Sequence, residues 1–192
     1  MLETRHAARR GPALDLPAAE LAADDRAVKL RSLPPDARFS LRLDSGLAGS
    51  LGTVAGFPVG MAVNRHGTAN GRLSARLGPD EWLLLGPEAE GDLIGGEVAA
   101  ALGAAFHALV DVGHRQVAFE IEGRHAADVL NAGCPLDLSA AAFPTGSATR
   151  TLLGKAEIVL LRLDDVPTFR VECWRSFASY VHAFLSEAAS AI

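Results

Sequence analysis

Three polar groupings have residue types that chemistry requires. His107, Asp111 and His114 offer two imidazoles and a carboxylate, ligand types of a metal site. On an extended segment positions 107 and 111 share a face, but 114 lies beyond Gly113 and no fourth ligand is suggested. A turn in which Asp111 or His114 bonds backbone amides accounts for the same residues. Cys134 has His125 nine positions before it, a thiol and a base of the kind that nucleophilic catalysis pairs. Neither Cys134 nor Cys173 has a cationic motif beside it, so structural thiols are the plainer reading. Glu120 and Glu122 alternate with Phe119 and Ile121, so both carboxylates leave one strand face. On a half-buried strand that face points to water. Arg170 and Arg175 could hold an anion, or lie at a surface or an interface. Gly46, Gly49, Gly52, Gly56 and Gly60 have the density of a phosphate loop, without its G-x-G-x-x-G spacing or Gly-Lys-Ser/Thr ending. Turns between short strands suit them better. No catalytic, cofactor-binding or metal-ligating residue is assigned from these groupings.

The elements that must position these residues alternate strands with turns. Residues 38–44 alternate polar and apolar, the period of a half-buried strand. Strands are also expected at 72–77, 82–85, 106–112, 116–121, 147–153, 156–163 and 168–173, with Gly154-Lys155 closing a hairpin. Three helices follow from apolar spacing. One covers residues 88–102 with Leu93, Val98 and Leu102. A second runs from Gly123 through Leu130. The last is capped by Ser176 and buries Phe177, Tyr180, Val181, Phe184 and Leu185. Runs of adjacent strands without intervening helices argue for α+β architecture: two abutting antiparallel-sheet halves, each with helices on one side. The expected organisation is a flexible arm over 1–35, a first half over 36–104 and a second over 105–192. Within the arm a short helix over 18–30 is a possible element, and Pro34-Pro35 closes it in extended form. The arm carries Arg5, Arg9 and Arg10 and suits a tail ordered by a neighbouring protein.

Composition narrows the function classes. The chain has 192 residues, 49% of them apolar, and a chain of that length buries roughly 70% of its unfolded surface without staples. With 18 basic against 23 acidic residues it lacks the positive excess of a nucleic-acid binder. Lys29 and Lys155 are its only lysines, so a Schiff base has two candidates at most. Two cysteines without C-x-x-C spacing suit a reduced cytoplasmic protein. No apolar run is long enough for a membrane span, and no apolar region follows the N-terminal arginines as in a secretory signal.

Five stretches carry a family likeness. Leu77-Gly78-Pro79-Asp80-Glu81-Trp82-Leu83-Leu84 resembles a signature of the gamma subunit of heterotetrameric sarcosine oxidase. Val110-Asp111-Val112-Gly113-His114-Arg115, Gly133-Cys134-Pro135-Leu136-Asp137-Leu138, Phe143-Pro144 and Thr151-Leu152-Leu153-Gly154-Lys155 are similar to its later blocks, in the same order. That family is similar in turn to the folate-binding domains of aminomethyltransferases. There, acidic residues after the hairpin glycine serve the folate site. Here Gly154 is followed by Lys155-Ala156-Glu157-Ile158-Val159, with Glu157 as a lone carboxylate. The resemblance implies a non-catalytic assembly subunit of a cytoplasmic complex with alpha, beta and delta subunits. Such a complex oxidises sarcosine to glycine, releasing hydrogen peroxide and 5,10-methylenetetrahydrofolate. FAD, FMN, NAD, zinc and tetrahydrofolate are then expected in the partner subunits and not in this chain. The alternative is a stand-alone folate-binding protein of the aminomethyltransferase type.

Overall fold

The computed structural model describes residues 19–21 and 28–192. In chain order it has β1 (Ala19–Leu21), β2 (Val28–Ser32), β3 (Asp36–Leu43), α1 (Ser45–Leu51), β4 (Thr53–Val54), β5 (Phe57–Pro58), β6 (Arg65–Ala69), β7 (Arg72–Arg76) and β8 (Glu81–Pro87). There follow α2 (Gly91–Leu102), β9 (His107–Asp111), β10 (Gln116–Glu122), α3 (Ala126–Asn131), β11 (Ala148–Leu153), β12 (Ala156–Asp164), β13 (Thr168–Trp174) and α4 (Ala178–Ser190). Two antiparallel sheets result, ordered β6-β7-β8-β3-β9 and β1-β2-β10-β13-β12-β11, beside the small β4-β5 pair. None of the described helices is long and apolar enough to cross a membrane.

The two-residue period of the strands sorts side chains into layers. From β3, Ala37, Phe39, Leu41 and Leu43 join Trp82 and Leu84 of β8 in packing on Ala48, Ile94, Val98 and Leu102 of α1 and α2. In the second sheet Phe119, Ile121, Phe169, Val171 and Cys173 pack on Val129, Leu130, Val181 and Leu185 of α3 and α4. The remaining strand faces meet each other through Ala75, Leu83, Leu85, Val112, Ala148, Val159 and Leu161. The molecule is therefore layered helix–sheet–sheet–helix, the α+β architecture of two abutting antiparallel sheets.

Several boundaries differ from the sequence expectation, each for a physical reason. The residues read as an arm or a helix over 18–30 hold β1 and β2. Val28 and Leu30 alternate into the second core while β2 pairs with β10. Residues 1–18 and 22–27, including Arg5, Arg9 and Arg10, lie outside the described residues. The halves do not divide at residue 104, because β9 pairs with β3 in the first sheet and β1 and β2 belong to the second. Inside the glycine-rich stretch, residues 45–51 form a helix and not turns. Asp44 caps it, accepting the Leu47 amide at 2.8 Å, and Ala48 is fully buried. The buried stripe of α2 is Ile94, Val98 and Leu102, whereas Leu93 is exposed. Ser176 sits in a 3-10 turn (Arg175–Phe177) ahead of α4 and does not cap it. The β6–β7 hairpin turns on Asn70 and Gly71, both left-handed at φ 51° and 77°, the pairing a two-residue hairpin favours.

Candidate functional site

The polar chemistry of this chain is concentrated where the two sheets face each other. Even positions of β3 and β13 point into that seam, and they bring Asp36 and Arg38 against Arg170 and Glu172. Arg38 Nε donates to Glu172 Oε2 at 2.8 Å, and Arg170 Nε donates to Glu172 Oε1 at 2.8 Å. Arg170 Nη2 also donates to the Asp36 carboxylate, and Arg38 Nη1 to the Asp36 carbonyl at 3.1 Å. Glu172 is fully buried and Arg38 is 2% exposed. Two guanidiniums and two carboxylates thus form a charge-balanced cluster that joins the sheets, buried at Arg38 and Glu172 and more open at Asp36. Burial alone would raise the Glu172 pKa, but Arg170 and Arg38 hold it below the ordinary carboxylate value.

Of the blocks of the family likeness, the first reaches across the same seam through Glu81, and those around Cys134 and Gly154 pack on the helix side. Leu77 and Gly78 amides donate to the Glu81 carbonyl, which folds the Pro79-Asp80 turn back on itself. That places Glu81 between Arg42 of its own sheet, at 3.0 Å, and Arg150 of the other, at 2.7 Å. Trp82 points the opposite way, its indole N–H donating to Val59 O at 3.1 Å beneath the Arg76 guanidinium. The block around Cys134 packs through Leu138 and Phe143, whose carbonyls both accept from the buried Arg162. Gly154 is left-handed at φ +58°, and a Cβ there would meet the Tyr180 hydroxyl, which accepts the Lys155 amide at 3.1 Å.

A second clamp closes the far side. Arg65 Nη1 donates to Ser147 Oγ at 3.2 Å, and the His66 amide to Gly146 O at 2.8 Å. His66 Nε2 lies 2.8 Å from Arg162 O, which can only accept, so Nε2 carries the proton and the buried Nδ1 is bare. Burial is the largest cause holding the His66 pKa below its ordinary value, and the Arg65 charge adds to it. Both clamps make the seam acid-labile. A neutral His66 stabilises fully above the unfolded value of 6.5 and loses that contribution as pH falls below it. An ionised Glu172 stabilises fully above 4.5 and loses its contribution as pH falls through the lower folded value. Thermal melts between pH 8 and 3 should therefore show melting temperature falling in two stages, and His66→Gln should remove the upper one.

The groupings singled out in the sequence do not converge. His107 Nδ1 bonds the Ala105 carbonyl, Asp111 Oδ1 accepts the Gly113 amide at 2.8 Å, and the His114 carbonyl accepts from Arg175. Among the described residues no group of three or more His, Cys, Asp or Glu side chains could hold a metal. His125 pairs with Asp128 at 2.9 Å, while the buried Cys134 has Thr151 Oγ1 as its polar neighbour at 3.9 Å. Burial, with Glu172 nearby, pushes the Cys173 thiol up to about 12, so it stays protonated. Glu120 corrects the expectation of a solvated pair. Its carboxylate lies 2.6 Å from Arg31 of β2, and the residue is 8% exposed. Arg170, read as anion-binding or as a surface or interface arginine, lies in the interface between the two sheets. Arg38 and Glu172, which carry most of that seam, were not singled out in the sequence at all. Arg72 faces an open groove of about 560 Å³, its charge met by Glu90 and Glu97 and a further hydrogen bond donated to the Ala55 carbonyl. The cavity left in the seam, lined by Ser40, Trp82, Arg115, Gln116 and Arg150, is about 30 Å³.

Comparison with known proteins gives this geometry a family. The model of the sarcosine oxidase, gamma subunit family matches residues 43–191. The chain is 33% identical over 141 residues to sarcosine oxidase subunit gamma of Arthrobacter sp., a match that covers 72% of this chain and 63% of that relative. It is 32% identical over 188 residues to the subunit gamma of Corynebacterium sp. strain U-96, covering 95% of this chain and 90% of the relative. A chain of the heterotetrameric sarcosine oxidase from Corynebacterium sp. U-96, solved in complex with pyrrole 2-carboxylate, superposes with a TM-score of 0.77. That match is 28% identical and covers 88% of this chain and 87% of the other. The glycine cleavage system aminomethyltransferase T from Bartonella henselae shares the fold alone, with a TM-score of 0.63 at 12% identity over 81% of this chain and 44% of that one. By the family match over most of its length, and by its identity to both subunits, this chain belongs to the sarcosine oxidase gamma subunit family.

Proposed function

We propose that this chain is a non-catalytic assembly subunit of a heterotetrameric sarcosine oxidase. In that complex alpha, beta and delta subunits carry FAD, FMN, NAD, zinc and tetrahydrofolate in the cytoplasm. They convert sarcosine to glycine, hydrogen peroxide and 5,10-methylenetetrahydrofolate. The observation that carries this reading is the seam itself. Arg38, Arg170, Asp36 and Glu172 are engaged with one another across the two sheets, as Glu81 is with Arg42 and Arg150. Groups committed to holding the halves together are not poised to act on a substrate.

The stand-alone folate-binding alternative is not favoured. After Gly154, Ile158 and Val159 are buried in the two cores, and the one carboxylate, Glu157, pairs with Arg150 at 3.7 Å. The cavity of about 30 Å³ between the sheets takes one or two waters, against the roughly 300 Å³ or more of a small-molecule site. The residues present do not fit a folate there. Calorimetric titration of the purified chain with tetrahydrofolate is expected to give no heat of binding at micromolar concentrations. Micromolar affinity for the lone chain contradicts the proposal and restores the alternative.

A further inference from the structure

The five-stranded sheet has two ends, and they are finished differently. At β6 the ladder runs on into the second sheet. The His66 amide donates to Gly146 O at 2.8 Å, the Ala148 amide donates to Asn64 O at 3.0 Å, and Arg65 and Ser147 form a bridge. At the other end β9 pairs with β3 alone among the described residues. The Val112 amide donates to Arg38 O. The two-residue alternation of an antiparallel ladder then turns the Val110 and Ala108 amides toward β3 and the Leu109 and His107 amides toward the open edge.

The register also fixes the side chains. Ala108 lies opposite Arg42 and Val110 opposite Ser40, on the face that looks toward the second sheet, and Phe106 extends the same parity. On that face Arg38 of β3 and Leu83 and Leu85 of β8 are buried, yet Phe106 is 97% exposed, Val110 is 55% exposed and Ala108 is exposed as well. Edge strands are ordinarily protected by a lysine, a proline or a bulge. The run Phe106-His107-Ala108-Leu109-Val110 has neither residue, and its pairing with β3 is continuous.

We propose that β9 is the docking edge at which this chain takes up an extended strand from a different subunit of the oxidase, with apolar residues at alternate positions covering Phe106, Ala108 and Val110. The inference rests on the assembly-subunit reading. The occupant is an extended strand, because only extended main chain meets the Leu109 and His107 amides in register. Its facing side chains are apolar, because the stripe from 106 to 110 presents no charge on that face. It belongs to a larger neighbour and not to a second copy. Pairing β9 with itself engages five residues a side, against about 20–30 for a stable interface. A larger neighbour can add such a strand to contacts made elsewhere.

The test co-expresses the full chain with the other subunits of the oxidase, comparing wild type with Val110→Lys and Phe106→Ser. Both side chains are exposed, so the melting temperature of the variant chains is expected to stay at the wild-type value. Recovery of the variants with the complex should fall by at least about tenfold. Independently of any variant, hydrogen exchange at the Leu109 and His107 amides should be slower in the wild-type complex than in the free chain. Variants recovered at wild-type levels, or equal exchange in both states, overturn the proposal. So does a free chain that dimerises and returns to monomer with Val110→Lys, since a second copy then holds the edge. A wild-type chain that never joins the complex refutes the assembly reading itself, and the docking edge with it.

Discussion

Replacing Glu172 with alanine is expected to destabilise the chain by about 3–5 kcal/mol. The substitution leaves Arg38 and Arg170 in a buried seam with Asp36 as their remaining carboxylate. Two guanidiniums removed from water without a full complement of partners cost several kcal/mol, because desolvation is no longer offset. The loss is a large share of the roughly 5–15 kcal/mol that separates folded from unfolded domains. Replacing the buried ions together tells the components apart. Arg38→Met with Glu172→Leu and Arg170→Met, combined with Asp36→Asn, removes all four charges and their desolvation cost at once, and is expected to fall near the wild-type stability. Urea denaturation of the wild type and these two variants checks this. A Glu172→Ala chain within about 1 kcal/mol of wild type shows that the cluster is wetter than its burial implies.

Trp82→Ala is expected to cost about 3–5 kcal/mol. The side chain is fully buried in the first core, its indole N–H is bonded to Val59 O, and Arg76 lies 4.8 Å from its ring. Truncation opens a cavity under α2 and leaves the Val59 carbonyl without its donor. Trp82→Phe keeps most of the volume and should recover more than half of that loss. The measurement is again an unfolding midpoint, read with unchanged slope against denaturant. A Trp82→Ala chain of wild-type stability that no longer joins its complex reassigns the indole from core anchor to contact residue.

What could be read in the sequence depended on whether the signal was local. Alternation across residues 38–43 marks β3, and the same period marks β10, because one face of each strand packs on helices, whereas β12 is marked by the hairpin at Gly154-Lys155. The turn after Leu77 and the glycine at 154 were legible because turn geometry selects its residues within a few positions. The seam was not. Arg38 meets Glu172, and Asp36 meets Arg170, across 134 positions of chain, and nothing near either residue announces its partner. A charged residue on a strand therefore reads as surface until its distant partner is in place, whether on the opposing sheet or, for Glu120 and Arg31, on the neighbouring strand of the same sheet. In α1, the Asp44 cap and the burial of Ala48 outweigh the low helix propensity of Gly46 and Gly49. β2 was missed for another reason. Four alternating residues, Val28 to Arg31, are a weak pattern alone, and β10 supplies the hydrogen bonds that make them a strand.

The most direct test of an assembly role is to reconstitute the oxidase from its separately purified subunits with and without this chain. Particle mass is followed by light scattering and turnover by sarcosine-dependent hydrogen peroxide. The chain alone is expected to produce no peroxide. The other subunits without it should fail to hold together as one particle, and adding it should restore both mass and turnover. A stable, fully active particle assembled without this chain, or peroxide made by the chain alone, contradicts the account.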